Sequence, residues 1–434
     1  MKGILVIMDG LGDMPCDVLK GKTPLEAAKT PNMDFFATRG ELGYLYPVKP
    51  GYAPASDEAV LSIFDNDISL SSRGQLEARG ADIDLSKGDL ALRVNFATID
   101  SLEKGNIIDR RAGRMLFDKE AKALEKAINS INFPIKFEFK HTVGYRGVLV
   151  FRGTFSSSIS GNDMTYVDGK ATEVMKIQRS KPLNTKDEVS PYTCNVVNEF
   201  FDLVYETLKD HPINIERKRR GLMPANYMLF RGAGVDKPKL KLYRNWMALG
   251  YMPLEKGIAK VSGMGIYGFN YPGIKDIDVY RNLYDGLKLA CRNAIKYIKK
   301  YHKKYDYFYI HLKETDLPGH DNKPFEKRDM IEYIDANLFK FLKRFLPPNN
   351  INLVVTADHS TVSKIKAHSA EPVPVLFYDS NRSIPQVKKK PVFKDGEVEG
   401  PRVIGRKFSE REARTGNLGR MVAGEMLKKA KFIR

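Results

Sequence analysis

Short apolar runs alternate with long amphipathic stretches near both ends of the chain. Apolar residues at helical spacing, with lysines on the opposite face, predict helices at 279–303 and 328–346. The apolar runs have the length of strands and are bounded by polar residues. They are KGILVIM at 2–8, DYFYIHL at 306–312, NLVVTA at 352–357 and VPVLFYD at 373–379. This alternation predicts an α/β fold with a mostly parallel sheet flanked by helices.

The middle of the chain has a different pattern. Its segments are shorter and more charged, and residues 135–153, IKFEFKHTVGYRGVLVFRG, alternate in the manner of antiparallel strands. A chain of 434 residues has room for two domains. The pattern therefore predicts a core formed by 1–70 and 240–434, with an inserted α+β domain at 71–239.

The composition is that of an ordinary globular protein, with 42% hydrophobic and 29% charged residues. No apolar run reaches the roughly 18 residues of a membrane-spanning helix, and no small-residue cleavage site follows the first strand. Cys16, Cys194 and Cys291 are too few and too scattered for a disulfide framework or a CxxC metal site. We expect a soluble cytoplasmic protein without a membrane partner.

The charge balance points to an anionic partner. Lys and Arg number 71 against 53 Asp and Glu, a net charge of +18. The basic runs, such as 216–220 and 298–305, are dispersed, and no aromatic-interleaved RNA motif accompanies them. The sequence therefore favours a small anionic substrate over nucleic acid.

Carboxylates and histidines follow several of the predicted strands. The carboxyl ends of parallel strands meet at one edge of a sheet, so we expect these side chains to gather there. Oxygen and nitrogen ligands suit Mn²⁺, Zn²⁺ and related ions, and the set exceeds the needs of one ion, so a two-metal site is predicted. For any single aspartate the alternative is a helix cap or a turn. The residues are Asp9, Asp316, His320, Asp358, His359 and His368.

Ser56 precedes an apolar helical pattern at 59–64. A helix N-terminus favours an anion through its free amides and its dipole. A metal ion on the serine oxygen would make it a nucleophile. The alternative is that Ser56 is only the N-cap of the helix.

Several segments together resemble the archaeal-type cofactor-independent phosphoglycerate mutases of the alkaline phosphatase superfamily. The resemblance spans nearly the whole chain. DRRAGR and LRVNF are more distinctive than the metal-ligand motifs of the superfamily alone. The segments are Asp9-Gly10, KTPLEAAKTPNMD (22–34), Ser56-Asp57, RGQLEARG (73–80), GDLALRVNFATID (88–100), DRRAGR (109–114), LFRGAG (229–234), HLKETDLPGHD (311–321) and ADHST (357–361).

The resemblance implies a role for each of these residues. One metal ion would be held by Asp9, Ser56, Asp358 and His359, and the other by Asp316, His320 and His368. Six basic residues would bind the substrate, although each arginine has a surface salt bridge as its alternative. They are Arg93, Arg110, Arg111, Arg114, Arg231 and Lys256.

The implied reaction interconverts 3-phosphoglycerate and 2-phosphoglycerate through a phosphoserine at Ser56, without bisphosphoglycerate. Mn²⁺ is the expected metal, and Zn²⁺, Co²⁺ and Mg²⁺ are alternatives. A divergent phosphomonoesterase or a phosphomutase acting on another small phosphate ester is the second hypothesis. A non-catalytic basic binding protein is the third, and the intact ligand set argues against it. Oligomeric state stays open.

The sequence departs from the family pattern in three places, all of which concern the substrate more than the metal. Tyr145 replaces the second histidine of HTVGHR, and residues 163–165 read Asp-Met-Thr instead of Asp-Pro-His. Residues 273–280, GIKDIDVY, replace a glycine-rich run. With an ordinary pKa near 10, tyrosine is expected to donate a hydrogen bond but not to serve as a base near neutral pH.

Overall fold

The computed structural model describes residues 1–163, 176–273, 278–381 and 407–433, together with the backbone of short strands at 166–167, 170–171, 392–394 and 397–399. In chain order the strands are β1 (Lys2–Met8), β2 (Glu41–Tyr46), β3 (Leu90–Ile99), β4 (Ile107–Asp109), β5 (Phe137–His141), β6 (Arg146–Phe151), β7 (Tyr166–Val167), β8 (Lys170–Ala171), β9 (Tyr227–Val235), β10 (Trp246–Leu249), β11 (Gly265–Tyr267), β12 (Tyr307–Leu312), β13 (Ile351–Thr356), β14 (Ser360–Val362), β15 (Ala367–Ser369), β16 (Val373–Tyr378), β17 (Val392–Lys394), β18 (Glu397–Glu399) and β19 (Gly419–Val422). The helices are α1 (Pro24–Ala27), α2 (Pro31–Ala37), α3 (Ser56–Ile63), α4 (Arg73–Gly80), α5 (Asp118–Asn129), α6 (Val189–Leu208), α7 (Pro212–Arg219), α8 (Pro253–Val261), α9 (Val279–Tyr301), α10 (Asp316–His320), α11 (Pro324–Ile334), α12 (Lys340–Phe345), α13 (Glu410–Arg414) and α14 (Ala423–Lys429).

The core sheet has the strand order β11-β10-β12-β1-β13-β16-β2-β19. The predicted mostly parallel sheet is confirmed, with β16 alone antiparallel to both of its neighbours. Strand β1 pairs in parallel with β12 on one side and with β13 on the other. All three are almost wholly buried and apolar, as expected for strands covered on both faces.

Both predicted long helices are present. The first, α9, buries Leu287, Ala290, Ala294 and Ile298 as the spacing predicts. The second is divided by a π-helical turn at Asp335–Phe339 into α11 and α12. The Asp335 carboxylate in that turn accepts hydrogen bonds from the first amides of α2.

The middle of the chain forms an antiparallel sheet in which β3 pairs with β4, β6 and β9, and β6 pairs with β5. The β5–β6 hairpin confirms the alternation at 135–153. Helices α5 and α6 pack on this sheet around a second apolar cluster, whose buried members lie between Leu90 and Phe230. Exact domain boundaries at 71 and 239 stay a prediction.

Helix α4 connects the two sheets. One face packs on β3 and β6 through Ala78, Ala91 and Val148, and the other crosses α8 closely. A Cβ atom added at Gly257 would lie 1.8 Å from the Leu76 carbonyl oxygen, so glycine is required at this crossing. The same helix therefore holds the inserted sheet against the core.

Across the described part of the chain, none of the helices combines the length and the apolar character that crossing a membrane requires.

Candidate active site

Four of the predicted metal ligands meet at the carboxyl ends of β1 and β13. Asp9 follows β1, and Asp358 and His359 follow β13. The His359 Nε2 atom lies 3.3 Å from Asp9 Oδ1 and 3.4 Å from Asp358 Oδ2, and Ser56 Oγ lies 3.2 Å from the same nitrogen. All four side chains are buried. We call Asp9, Ser56, Asp358 and His359 the first cluster.

The other three predicted ligands form a second cluster, Asp316, His320 and His368. One turn of α10 places Asp316 Oδ2 and His320 Nε2 3.4 Å apart, and β15 returns His368 so that its Nε2 lies 3.7 Å from Asp316 Oδ1. The rings of His359 and His368 stack with centroids 3.6 Å apart, so the two clusters are adjacent.

Backbone carbonyls orient the histidines of the second cluster. The Nδ1 atom of His320 lies 2.9 Å from the Lys366 carbonyl oxygen, and that of His368 lies 2.8 Å from the Pro54 carbonyl oxygen. With Nδ1–H donating to these carbonyls, each Nε2 presents a lone pair toward Asp316. Metal-ligating histidines are commonly oriented in this way.

The electrostatics of both clusters favour ionised carboxylates. Burial opposes ionisation, yet His320, His368 and His359 lower the pKa of Asp316. Burial likewise opposes ionisation of Asp358, and His359 is the main group that lowers its pKa. Buried anions require compensation by cations.

The donor atoms fit divalent cations. Asp9 Oδ1 and Asp358 Oδ2 are buried and accept no hydrogen bond of good geometry from the residues that the structure describes. Buried polar atoms are normally satisfied, so these two require a further partner. Each cluster brings carboxylate and imidazole ligand atoms to within 4.8 Å of one another. Such mixed sets are typical of Mn²⁺ and Zn²⁺ sites.

Ser56 is the first residue of α3, and Ala55 occupies the N-cap position. The Ala55 amide is satisfied by Glu58 Oε2 at 2.8 Å, and the Ser56 side chain makes no capping hydrogen bond. The alternative interpretation of Ser56 as a simple N-cap is therefore wrong. Its hydroxyl points instead toward the first cluster.

The predicted substrate arginines divide into two groups. Arg93 and Arg231 lie opposite each other on β3 and β9, and Arg93, 4% exposed, lies 3.9 Å from a carboxylate oxygen of Asp163. Arg110 also forms an ion pair with Asp163. Burial opposes ionisation of Asp163, and Arg231, Arg110 and Arg93 lower its pKa. The structure thus gathers three of the predicted residues around one carboxylate.

Arg111 and Arg114 reach toward the core. The side chain of Arg114 pairs with Asp321, next to His320, at 2.6 Å. Arg111 interacts electrostatically with Tyr145 and with Asp316. The inserted sheet therefore presents these arginines to the second cluster. Lys256, half-buried on α8, completes the predicted set.

Lys313, Glu255 and His311 belong to the site but were missed in the sequence. Lys313 Nζ contacts Asp9 Oδ2 and lies 3.0 Å from Glu255 Oε1. His311 Nε2 lies 3.6 Å from Asp9 Oδ2. Polar residues alternating at the end of an apolar strand, as in IHLK at 310–313, were the available signal.

Arg217 belongs to the basic run at 216–220, yet its side chain is fully buried. Its guanidinium donates to the carbonyls of Met115 at 2.9 Å and Ala112 at 3.3 Å and pairs with Glu120. The segment that Arg217 contacts, 111–115, contains Arg111 and Arg114, and its Ala112 has a positive φ of 46°. Arg217 thus stabilises a backbone conformation that few residues adopt unaided.

Comparisons with known proteins decide the family. Residues 37–214 match the family described as 2,3-bisphosphoglycerate-independent phosphoglycerate mutase, and residues 279–431 match the metalloenzyme superfamily. The sequence is 38% identical over 428 residues to the 2,3-bisphosphoglycerate-independent phosphoglycerate mutase of Pyrococcus furiosus, covering 97% of this chain and 94% of that protein. The chain belongs to this mutase family.

Solved structures agree with the family. The PH0037 protein from Pyrococcus horikoshii aligns with a TM-score of 0.72 at 29% identity, covering 100% of this chain and 98% of that one. The cofactor-independent phosphoglycerate mutase from Thermoplasma acidophilum aligns with a TM-score of 0.57 at 26% identity, covering 100% and 99%. The predicted fold and family are thus confirmed, and the match to the metalloenzyme superfamily supports divalent metal ions as cofactors.

Proposed function

We propose that this protein interconverts 3-phosphoglycerate and 2-phosphoglycerate through a phosphoserine at Ser56. The position of Ser56 Oγ carries the proposal, because it lies 3.2 Å from His359 Nε2, at the N-terminus of α3 and beside both clusters. Curated relatives at 36–38% identity are named as mutases of this type. The cytoplasmic location stays a prediction.

The first cluster would hold one divalent ion and the second cluster the other, with Mn²⁺ the metal that we favour. When bound, the ions would lower the pKa of the serine hydroxyl and neutralise charge on the phosphate. Asp9 and Asp358 supply buried acceptor atoms, and the carbonyl contacts of His320 and His368 hold their rings in ligand orientation.

The protein's own residues then position the reacting groups. The phosphate lies at the first turn of α3, where free amides and the helix dipole favour anions. The Ser56 Oγ atom attacks phosphorus, and the arginines of the inserted sheet retain the glycerate. Its other hydroxyl then takes the phosphate back. Forked guanidinium groups suit both the carboxylate and the phosphate of this substrate.

The test is an enolase-coupled assay of purified protein with 3-phosphoglycerate and added Mn²⁺, run beside a measurement of inorganic phosphate. We expect mutase turnover that chelation abolishes and that Ser56→Ala lowers by several orders of magnitude, on the order of 10⁵-fold, because the covalent step is lost. Ser62→Ala, on the same helix and only half-buried, is the matched control.

Two results would contradict the proposal. Phosphate release without isomerisation would favour the phosphomonoesterase hypothesis. Full mutase activity in Ser56→Ala would require another nucleophile.

A further inference from the structure

Tyr145 lies in the turn between β5 and β6, and this turn is closed by its own hydrogen bonds. The Arg146 amide donates to the Val143 carbonyl at 3.0 Å, and His141 Nε2 lies 2.7 Å from the Gly144 carbonyl oxygen. The φ of Gly144 is 58°, which glycine adopts without strain. A rigid turn of this kind fixes the position of the phenol.

The turn reaches from the inserted sheet toward the core. Val143 packs against the apolar cluster of the core, whereas Tyr145 packs against the apolar cluster of the inserted sheet. The Phe96 amide donates to the Tyr145 carbonyl at 2.7 Å and anchors the turn on β3. The half-buried phenol therefore lies where the two parts of the molecule meet.

Guanidinium groups surround the phenol. The Cζ atoms of Arg146 and Arg111 lie 5.6 Å and 6.0 Å from its ring centroid. Burial opposes ionisation, but Arg111, Arg146, Arg93 and Arg114 together lower the pKa of Tyr145 to about 7. The arginines thus remove the obstacle that an ordinary pKa near 10 would place on proton exchange by this tyrosine.

The other titratable groups near Tyr145 are not suited to exchange protons near neutral pH. Glu77, which faces Arg93 and Arg146, and Asp163, which faces Arg93 and Arg110, both have lowered pKa values and stay anionic. Burial lowers the pKa of His141, and its Nε2 is engaged by the Gly144 carbonyl. Of these groups, Tyr145 alone combines a pKa near neutral pH with a position beside Arg111, which also interacts electrostatically with Asp316 of the second cluster.

We propose that Tyr145 is a catalytic residue that exchanges protons with the two hydroxyl oxygens of glycerate. The inference rests on the proposed mutase function. As deprotonated Ser56 Oγ bonds to phosphorus, the bond from phosphorus to O3 breaks and the phenolic proton moves to O3. When O2 attacks the phosphoserine, the bond to Ser56 Oγ breaks and the O2 proton moves to the phenolate. Tyr145 and Ser56 then both regain their starting states.

The role also explains why an ionisable phenol lies among the arginines. Without substrate, the phenolate balances part of their positive charge. When substrate binds, the negative charges of phosphoglycerate balance the arginines instead. The phenol then becomes harder to ionise and takes up a proton. Tyr145 is thus protonated, and able to donate a proton, when the first phosphoryl transfer begins.

The experiment compares Tyr145→Phe, Tyr145→His and wild type in both directions of the mutase reaction. Tyr205→Phe is the matched control, because Tyr205 is buried on α6 of the inserted domain. We expect kcat of Tyr145→Phe to fall by about 100-fold or more, the usual size of proton-transfer catalysis, with little change in KM. Tyr145→His should regain about tenfold of that loss, because imidazole also exchanges protons near neutral pH.

A second readout follows the phenol directly. The ultraviolet tyrosinate difference spectrum of wild type minus Tyr145→Phe should titrate near neutral pH, with its midpoint raised by added 3-phosphoglycerate. If thermal unfolding shows that Tyr145→Phe folds poorly, the spectra of wild type with and without 3-phosphoglycerate still test the proposal. They are enough to show whether substrate raises the titration midpoint of the phenol.

Several outcomes would overturn the role of Tyr145. They are an unchanged kcat in Tyr145→Phe, a raised KM with unchanged kcat, and a titration that substrate does not move. A wild-type protein without mutase activity would instead contradict the proposed function.

Discussion

The core sheet and the inserted sheet each have one fully buried cation that holds a segment near the candidate site, but the two cations hold different segments. In the core, Lys327 on α11 donates to the carbonyls of Gly12 at 3.1 Å and Thr361 at 2.9 Å and pairs with Asp13 at 3.0 Å. These contacts join the loop after Asp9 to the loop after His359. Lys327 thus holds together the two segments that supply the first cluster.

Beside the inserted sheet, Arg217 joins segment 112–115 to the turn after α7, where its Nε donates to the Met223 carbonyl at 2.9 Å. Segment 112–115 follows Arg111 and contains Arg114. Those arginines are partly exposed, with Arg114 showing 26% of its side chain to solvent, whereas Asp9 and Asp358 are almost fully buried. From the difference we infer that the core positions the proposed metal ligands and that the inserted sheet positions the proposed substrate contacts. Loss of either cation should therefore produce a different defect.

The largest effect is expected for Lys327→Met. Removing the ammonium group leaves the Asp13 carboxylate buried and unpaired, which costs about 3–5 kcal/mol of stability. It also frees the two loops of the first cluster, so metal affinity should fall by roughly 10–100-fold. Titration of the folded variant with metal ions measures the affinity, and thermal unfolding measures the stability. Lys340→Met, at an exposed position, is the control. Unaltered metal affinity would show that the loops keep their positions without Lys327.

A smaller and different effect is expected for Arg217→Lys. Lysine keeps a charge near Glu120 but cannot donate to several carbonyls at once. The segment at 112–115 should loosen, raising KM by about tenfold, equivalent to about 1.4 kcal/mol of binding, while metal affinity stays unchanged. Arg219→Lys, on the exposed side of α7, is the matched control. A fall in metal affinity of Arg217→Lys would contradict the inference that the inserted sheet affects substrate binding but not metal binding.

The sequence predicted the core more completely than the insert, for physical reasons. Asp9, Asp358 and His359 follow apolar strands that periodicity locates, and parallel pairing of β1 with β13 brings their ends together. The pair Asp316 and His320 needs only one helical turn. Local patterns therefore sufficed to locate these candidate ligands.

The missed residues depend on contacts distant in sequence. Burial of Arg217 is set by carbonyls about a hundred residues away, so its charge run had the pattern of a solvated surface. The pKa of Tyr145 depends on arginines from separate segments, which only the folded inserted sheet gathers. The reversed direction of β16 likewise follows from its pairing with β2, which no local pattern encodes.

The central claim, a phosphoserine at Ser56, is tested most directly by trapping it. Protein mixed with 3-phosphoglycerate and Mn²⁺ is quenched rapidly in acid, digested and analysed by mass spectrometry. The account predicts phosphate on the peptide that contains Ser56, absent in Ser56→Ala and retained in Tyr205→Phe. Phosphate on another residue, or turnover without any trapped phosphopeptide, would contradict it.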